Sequence, residues 1–442
     1  MTADQDHGAA LPPTGDRPED AVLEALQRRV MRVLVASQVL GGVGVGSGVA
    51  VVGLLAYELS GTASLSGVSA TASTLGAAAA AIVIARLSVA RGRRPGLVTG
   101  YLIGAVGALL AVVAAVLGMF LLHVVASAAF GWASASNLQA RYAATDLARP
   151  ANRARSLSTI VWATTVGAVL GPNLTGPGAR VSEVLSLPPL AGAYLFSLVS
   201  FVTAALVQLL FLRPDPLRVV RDRADVPAVA TTGREDIRNA RRTIRSIPEA
   251  RVAVLAITAA HAVMVGIMVM TPVHMEDHGA ALNLVGLTIS LHIAGMYALS
   301  PVMGLLADRF GRRRVVLFGL TQLLVAALLA ATGDPTGSVW FQGGLVLLGT
   351  GWSACLIAGS AWLTEVVPVE ERPGVQGTSD LAMNLAGGVG GTLAGIVLAL
   401  AGYPALSFGA ILLLVPAAVG AWRLASDAPE WSGPAWRRQR QP

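Results

Sequence analysis

The sequence contains no lysine and a single cysteine, and only 13% of its 442 residues are charged. Soluble domains average about 25% charged residues, so an ordinary soluble protein is excluded. One cysteine, Cys355, excludes an internal disulfide and a multi-cysteine metal cluster. Aromatic residues are 5% of the chain and the basic residues form no single patch, so no nucleic-acid partner is expected. Residues 1–30 contain no apolar run, so no cleaved signal peptide is expected.

Apolar residues are abundant: they make up 54% of the chain, and the mean hydropathy is +0.65. They fall in a dozen blocks of roughly 20 residues, the length that spans a bilayer as a helix. Only helices or closed barrels satisfy their backbone hydrogen bonds in lipid. The pattern predicts an all-α membrane protein with twelve transmembrane helices.

All 32 basic residues are arginines, and their positions predict the topology. With twelve spans, all of them except Arg180 fall on the same side of the membrane. By the positive-inside rule this side is the cytoplasm, so both termini of a multi-pass protein of the cell membrane are expected there.

The chain divides into two halves around an arginine-rich segment. We predict a cytoplasmic tail at 1–30, a six-helix bundle at 31–212, a cytoplasmic basic linker at 213–250, a second six-helix bundle at 251–424 and a cytoplasmic tail at 425–442. Two six-helix repeats around a linker are typical of secondary transporters, whose substrate site lies near the midplane between the halves.

The halves repeat a charge pattern. Asp146 is followed seven residues later by Arg153 after the fourth predicted span, and Glu365 is followed seven residues later by Arg372 after the tenth. Arginine-rich turns follow the second and eighth spans. This repetition predicts two copies of one six-helix unit.

The linker contains a predicted amphipathic helix at 234–247. One face of this helix is apolar and consists of Ile237, Ala240, Ile244 and Ile247. The other face carries Arg238, Arg241, Arg242 and Arg245. We interpret it as an interfacial helix beside anionic lipid. The alternative is a solvated charged linker.

Methionine and histidine are concentrated at 261–303, which holds six of the ten methionines and four of the six histidines. Met264 and Met268 share one face of predicted span 7, and His292 and Met296 share one face of span 8. Met264 lies about 20 Å along its span and His292 about 15 Å along the next, so their depths overlap. Neutral thioether and imidazole ligands select copper, Cu(I) especially.

Two other interpretations of these residues stay open. Methionines at helical spacing also fill cores, and an intramembrane histidine also serves in hydrogen bonding or proton relay. Outside the membrane, His274, Met275 and His278 are predicted to lie in a loop that gathers metal cations.

The stretch from Gly304 to Arg314, GLLADRFGRRR, resembles the loop signature of the major facilitator superfamily. With twelve spans and a central loop, the resemblance covers nearly the whole chain. It implies a gating motif at the cytoplasmic face, in which Gly304 permits close packing and Asp308 pairs with arginines or a helix N-terminus. The residues of this motif are Gly304, Asp308, Arg309, Gly311, Arg312 and Arg313. The first-half copy departs from the signature, because Val89 stands where aspartate is expected.

Two further motifs carry resemblances. Gly167, Gly171 and Pro172 are similar to a glycine-proline motif of antiporters in this superfamily, and small residues at this spacing also serve helix packing. An MxxxM pair in span 7 followed by HxxxM in span 8 resembles the CcoA-like copper importers. That resemblance implies that Met264, Met268, His292 and Met296 bind copper, which enters the cytoplasm for assembly of haem-copper oxidases.

Other polar residues in the spans are predicted to line the cavity or to bond between helices. They are Gln38, Asn137, Gln139, Arg141 and Asn384. No carboxylate is expected near the middle of a span, which disfavours a proton-coupled exporter of cationic drugs.

The sequence therefore predicts a monomeric secondary active transporter, not an enzyme, that imports copper by alternating access. Copper is its substrate and the lipid bilayer its surroundings; no cofactor is expected. The alternatives are a proton-coupled multidrug or other small-molecule transporter, such as a flavin transporter, and a transporter-like metal sensor. No nucleotide-binding loop, Ser-His-Asp set or zinc motif is found in the sequence.

Overall fold

The computed structural model describes residues 18–224 and 233–426, which form helices and short connections without a strand. The first half consists of seven helices: α1 (Pro18–Ser60), α2 (Ala63–Arg91), α3 (Arg93–Leu117), α4 (Phe120–Asp146), α5 (Arg153–Asn173), α6 (Thr175–Val184) and α7 (Ala191–Phe211). A bend of 52° separates α5 from α6. It follows Pro172, whose ring cannot continue a regular helix.

Two short helices, α8 (Pro216–Arg223) and α9 (Gly233–Ser246), lie between the halves. The second half consists of six helices: α10 (Pro248–Asp277), α11 (Leu282–Tyr297), α12 (Ser300–Phe310), α13 (Arg312–Thr332), α14 (Val339–Val366) and α15 (Arg372–Ser426). Helix α15 is broken at Gly402, where φ is 79° and ψ is 172°. It therefore consists of two long segments.

Nine helices in the described chain are long and apolar enough to cross a membrane, and the bent pair α5–α6 would make a tenth. Helix α4 has 27 residues but falls outside this group, since it buries polar side chains between helices. Helix α15 counts once although Gly402 divides it. Helices α11 and α12 together form one of the nine spans. When α5–α6, α4 and the second segment of α15 are also counted, each half has six long helical segments, as the sequence predicts.

The outer surface of α3 illustrates why a membrane must surround the molecule. Leu102, Val106, Leu109 and Val113 are 36–54% exposed and recur at helical spacing along one face. A continuous apolar stripe of this kind is not stable in water. It fits the hydrocarbon core of a bilayer.

Helix α9 of the linker matches the predicted amphipathic segment 234–247 to within one residue at each end. Its apolar face packs on protein rather than on lipid: Ala240 is buried in the core of the second half, and Ile244 and Ile247 pack against that core. The ends of α10 and α15 supply this apolar surface. Helix α1 begins at Pro18, inside the predicted tail 1–30, and residues 427–442 of the predicted C-terminal tail lie outside the described chain.

Candidate functional site

His292 lies on α11 with its side chain buried against α14. Its Nδ1 is 2.9 Å from the carbonyl oxygen of Leu345. A carbonyl only accepts hydrogen bonds, so Nδ1 carries the proton and donates it. Nε2 is buried and has no hydrogen-bond partner among the described residues. A neutral imidazole with one nitrogen fixed by a carbonyl and the other free is the usual state of a metal-ligating histidine.

The three predicted sulfur ligands lie in the core of the second half. Met264 on α10 and Met296 on α11 are buried members of the same core cluster, and Met268 is partly buried against it. Helices α10 and α11 both pack along α14, and each contacts α14 far more than the other. The two helices that carry the four predicted copper ligands therefore both pack on α14, and none of the four side chains is exposed.

The predicted outer capture cluster differs from expectation. His274 and Met275 lie in the last turn of α10 and His278 directly follows it, rather than in a loop. The rings of His274 and His278 are 4.3 Å apart, but Met275 is fully buried, because successive helix residues point in different directions. Only a histidine pair remains of the predicted cluster. In the described chain, no group of three or more His, Cys, Asp or Glu side chains could hold a metal ion.

Asp308 of the gating motif connects the two halves. Its carboxylate accepts hydrogen bonds from the backbone N–H groups of Ala154 (3.1 Å) and Arg155 (2.9 Å) in the first turn of α5. A carboxylate at a helix N-terminus is stabilised by the free N–H groups and the helix dipole. Gly304, one turn earlier, allows the approach: a Cβ there would lie 2.2 Å from Oγ of Ser158.

The arginines of the motif have different partners. Arg312 pairs with Asp308 (3.0 Å) and Glu365 (2.8 Å) and donates to the carbonyl of Pro150 in the first half (2.6 Å). Arg313 stays within the second half, where it donates to the carbonyl of Leu424. Arg309 is exposed, and Gly311 has φ of 92°. Arg312 is thus the arginine of this motif that joins the two halves.

The first-half copy of this turn is held by the linker. Gly92 also has φ of 92°. Val89 offers only its carbonyl, which accepts from Arg221 of α8 (2.5 Å). The carboxylate of Asp215, which precedes α8, accepts from the backbone N–H groups of Arg93 (3.1 Å) and Arg94 (2.7 Å). An aspartate from the linker therefore caps α3.

Two buried arginines cross between the halves beside these turns. Arg93 pairs with Asp146 at 2.8 Å and donates to Gln376 of α15 at 2.7 Å. Arg141 of α4 pairs with Asp380 of α15 at 2.5 Å, and both side chains are 1% exposed. Asp380 lies eight residues into α15, about 12 Å from its start. Asp380 is therefore a buried carboxylate between the halves, nearer to the start of its helix than to the middle of the span.

These contacts all lie at the arginine-rich end of the bundle, which they close. A cavity of about 250 Å³ lies toward the opposite end, lined by Val49, Val52, Ala70, Ser73, Thr74, Ala77, Ser127, Phe130, Ser134, Tyr194 and Asn384. Of these residues only Asn384 comes from the second half. None of the four predicted copper ligands lines this cavity.

The other predicted cavity residues bond between helices. Gln38 donates to Thr164 (3.0 Å), and Gln139 donates to the carbonyl of Ala81 (2.7 Å). Asn137 accepts from the hydroxyl of Tyr101 (2.6 Å). These bonds pair the amide nitrogens of Gln38 and Gln139 and the amide oxygen of Asn137, whereas Oε1 of Gln38 is buried without a partner among the described residues.

The glycine motif of α5 packs against α1. A Cβ on Gly167 would lie 2.1 Å from the backbone of Gly42, and one on Gly171 would lie 2.5 Å from the backbone of Gly46. Backbones approach this closely only where both helices carry glycine. Close packing of α5 against α1 within the first half therefore explains why glycine occupies positions 167 and 171.

Sequence reasoning missed an aromatic group in the second half. Trp352 of α14 donates from Nε1 to Nδ1 of His261 (3.0 Å), and Tyr297 meets Trp352 edge to face with ring centroids 5.8 Å apart. It also missed the partners of Arg141 and Arg93. No local pattern indicates these residues, because each contact joins helices far apart in the chain.

Comparison with known proteins identifies a matching family model and relatives that are similar over most of the chain. A family model described as Major Facilitator Superfamily matches residues 33–281 and 252–442. The uncharacterized MFS-type transporter YddS of Bacillus subtilis strain 168 is 38% identical over 419 residues, which cover 92% of this chain and 94% of the relative. The riboflavin transporter RfnT of Brucella anthropi is 28% identical over 356 residues, 80% of this chain and 85% of the relative.

Solved structures share the fold. The human organic anion transporter MFSD10 superposes with a TM-score of 0.74 at 18% identity, covering 89% of this chain and 99% of that protein. A bacterial homologue of the iron transporter ferroportin in an outward-facing state superposes with a TM-score of 0.69 at 14% identity, covering 90% and 99%. At these identities the likeness concerns the fold alone.

Proposed function

The chain belongs to the major facilitator superfamily, and from this membership we propose that it is a secondary transporter that imports copper by alternating access. The ligands are Met264, Met268, His292 and Met296. One observation carries the proposal: Nδ1 of His292 is fixed by Leu345 while Nε2 is buried without a hydrogen-bond partner among the described residues, and Met264 and Met296 are buried members of the second-half core. Leaving such a nitrogen unpaired costs free energy unless a ligand uses it.

The chemistry of the donors suits a transported ion. Thioethers and a neutral imidazole bind copper without adding negative charge. We therefore expect the ion to be held more weakly than by thiolates, which allows release on the other side. The bond from His292 to Leu345 fixes the imidazole before the ion arrives, so little conformational entropy is lost on binding.

We propose that the arginine-rich end faces the cytoplasm, as the positive-inside rule predicts. In this orientation the cavity opens toward the outside, and the contacts of Asp308, Arg312, Arg141 and Arg93 close the cytoplasmic side. Import then requires these contacts to break after copper binds, while the halves close over the cavity.

Copper uptake by cells that express the chain tests the proposal. Met264→Leu keeps the side-chain volume but removes the sulfur, so we expect at least a tenfold loss of radioactive copper uptake, and the same for His292→Leu. Met303→Leu is the matched control, because Met303 is buried in the same core but is not a proposed ligand. If Met264→Leu and His292→Leu take up as much copper as the control Met303→Leu, the proposal is refuted. Copper binding without uptake by the wild type would indicate a sensor.

A second candidate is transport of a flavin-like aromatic molecule. It is favoured by the likeness to the riboflavin transporter RfnT and by the group of His261, Tyr297 and Trp352, which offers aromatic faces and polar edges. Uptake of labelled riboflavin, measured in the same cells, separates the two. Under this candidate Trp352→Ala loses riboflavin uptake, whereas Met264→Leu retains it.

A further inference from the structure

We propose that the arginine row of α9, formed by Arg238, Arg241, Arg242 and Arg245, binds the phosphate-bearing headgroup of an anionic phospholipid. The four side chains are exposed and line a groove of about 580 Å³ together with Ile237 and Ser246. Their spacing of three and four residues places them on one side of the helix. This site is independent of the proposed cargo.

The positive charges of the row are not compensated by the described part of the protein. None of the four arginines forms an ion pair with a carboxylate whose side chain the structure describes. The three acidic residues at neighbouring helix starts interact with other groups: Glu371 accepts from Thr243, Glu249 pairs with Arg313, and Glu370 interacts electrostatically with Arg221 and Arg372. Like charges four residues apart destabilise a helix. A bound anion would remove this repulsion.

The row is held rigidly by the opposite side of α9. Ala240 is buried in the core of the second half, and the hydroxyl of Thr243 bonds to Glu371, the residue before α15. The guanidinium groups are therefore presented on a fixed support. Guanidinium matches phosphate with two parallel hydrogen bonds. The row extends about 10 Å along the helix, enough for a headgroup with one or two phosphates.

The position of α9 favours a lipid over a soluble anion or a nucleic acid. Helix α10, which is apolar enough to span the membrane, begins at Pro248, two residues after α9 ends. The membrane helix α15 begins beside Thr243. The row thus lies at the end of two membrane helices, where phospholipid headgroups lie. The helix has no aromatic residue on which bases would stack.

Lipid binding to the purified full-length chain tests this site. Native mass spectrometry in detergent micelles compares dioleoyl phosphatidylglycerol with dioleoyl phosphatidylcholine. We expect the wild type to prefer phosphatidylglycerol and the variant Arg241→Gln/Arg245→Gln to bind it about 30-fold less, since each arginine near an anionic surface contributes about a fivefold change. Arg241→Lys/Arg245→Lys keeps the charge and should retain most of the preference.

The matched control is Arg29→Gln/Arg32→Gln, which removes two exposed arginines from α1 at the same end of the bundle. It should bind phosphatidylglycerol like the wild type. Equal loss in both double variants would show a general charge effect and would overturn the site. Displacement of the lipid by millimolar glycerol phosphate, or preferential binding of a single-stranded oligonucleotide, would assign the row to another ligand and would also overturn the proposal.

Discussion

The turn between α2 and α3 has a backbone similar to that of the turn between α12 and α13 in the other half: φ is 92° at both Gly92 and Gly311, and ψ is 174° and 149°. The arginine that follows each glycine pairs with a carboxylate near the end of a long helix: Arg93 with Asp146, and Arg312 with Glu365. The repeat that the charge spacing predicts is therefore a repeat of ion pairs as well as of helices.

The two copies differ in how they reach the other half. In the second half, Asp308 caps α5 of the first half. In the first half, Val89 cannot accept through its side chain, and the linker supplies Asp215 to cap α3 instead. The first copy is thus capped by the linker and reaches the second half through the bond from Arg93 to Gln376, while the second copy reaches the first half through both Asp308 and Arg312. We infer that opening at this end breaks the Asp308 contacts and preserves the Asp215 contacts.

The largest expected effect concerns the pair between the halves. Asp380→Asn leaves the buried guanidinium of Arg141 without its countercharge, which should lower stability by about 3–5 kcal/mol. Thermal unfolding of the purified protein measures this. The double variant Arg141→Met/Asp380→Leu should recover most of the loss. An unchanged unfolding temperature in Asp380→Asn would contradict the assignment of a buried ion pair.

The two glycines give a matched test of the turns. Alanine is strained at both positions, because φ is positive, and the cost at Gly311 should be about 1 kcal/mol. At Gly92 a Cβ would also lie 2.6 Å from the carboxylate of Asp215, whereas nothing lies within 4 Å of one at Gly311. We expect Gly92→Ala to cost about 2–3 kcal/mol in total. Equal losses of unfolding free energy would show that Asp215 does not hold the first turn.

Asp308→Val gives the turn of the second half the residue that the turn of the first half has at the same position, Val89. The start of α5 loses its cap, so the closed arrangement should weaken by about 1–2 kcal/mol. Reaction of a cysteine introduced at Arg155 with a membrane-impermeant thiol reagent, added at the arginine-rich end of reconstituted protein, should become faster. Arg155→Cys with Asp308 intact is the control, and equal rates would indicate that Asp308 does not hold this end closed.

The smallest effect is expected for a contact inside one half. Arg313 is 3.6 Å from Glu249, and both side chains are about one third exposed. Such a pair contributes about 0–1 kcal/mol. Glu249→Gln should therefore leave the unfolding temperature nearly unchanged and should not alter thiol reactivity at Arg155→Cys. A large change in reactivity would place this contact among those that hold the halves together.

The sequence by itself determined the architecture. Apolar blocks of bilayer length, all-arginine charge at their ends and the repeated motif are local features, and each follows from the free energy of placing residues in lipid or water. The helix at 233–246 was also predictable, since amphipathic spacing is a property of the helix alone. The packing of its apolar face on protein was not predictable, because the apolar surface that buries Ala240 comes from α10 and α15.

Only the tertiary structure decided which polar groups are satisfied. The sequence shows His292, Arg141 and Gln38 alike as polar residues inside apolar spans. In the folded chain Arg141 pairs with Asp380 and the amide nitrogen of Gln38 donates to Thr164, whereas Oε1 of Gln38 and Nε2 of His292 are both buried without a partner among the described residues. Such pairing depends on the distance and direction between side chains on separate helices, and these quantities exist only after the helices have packed.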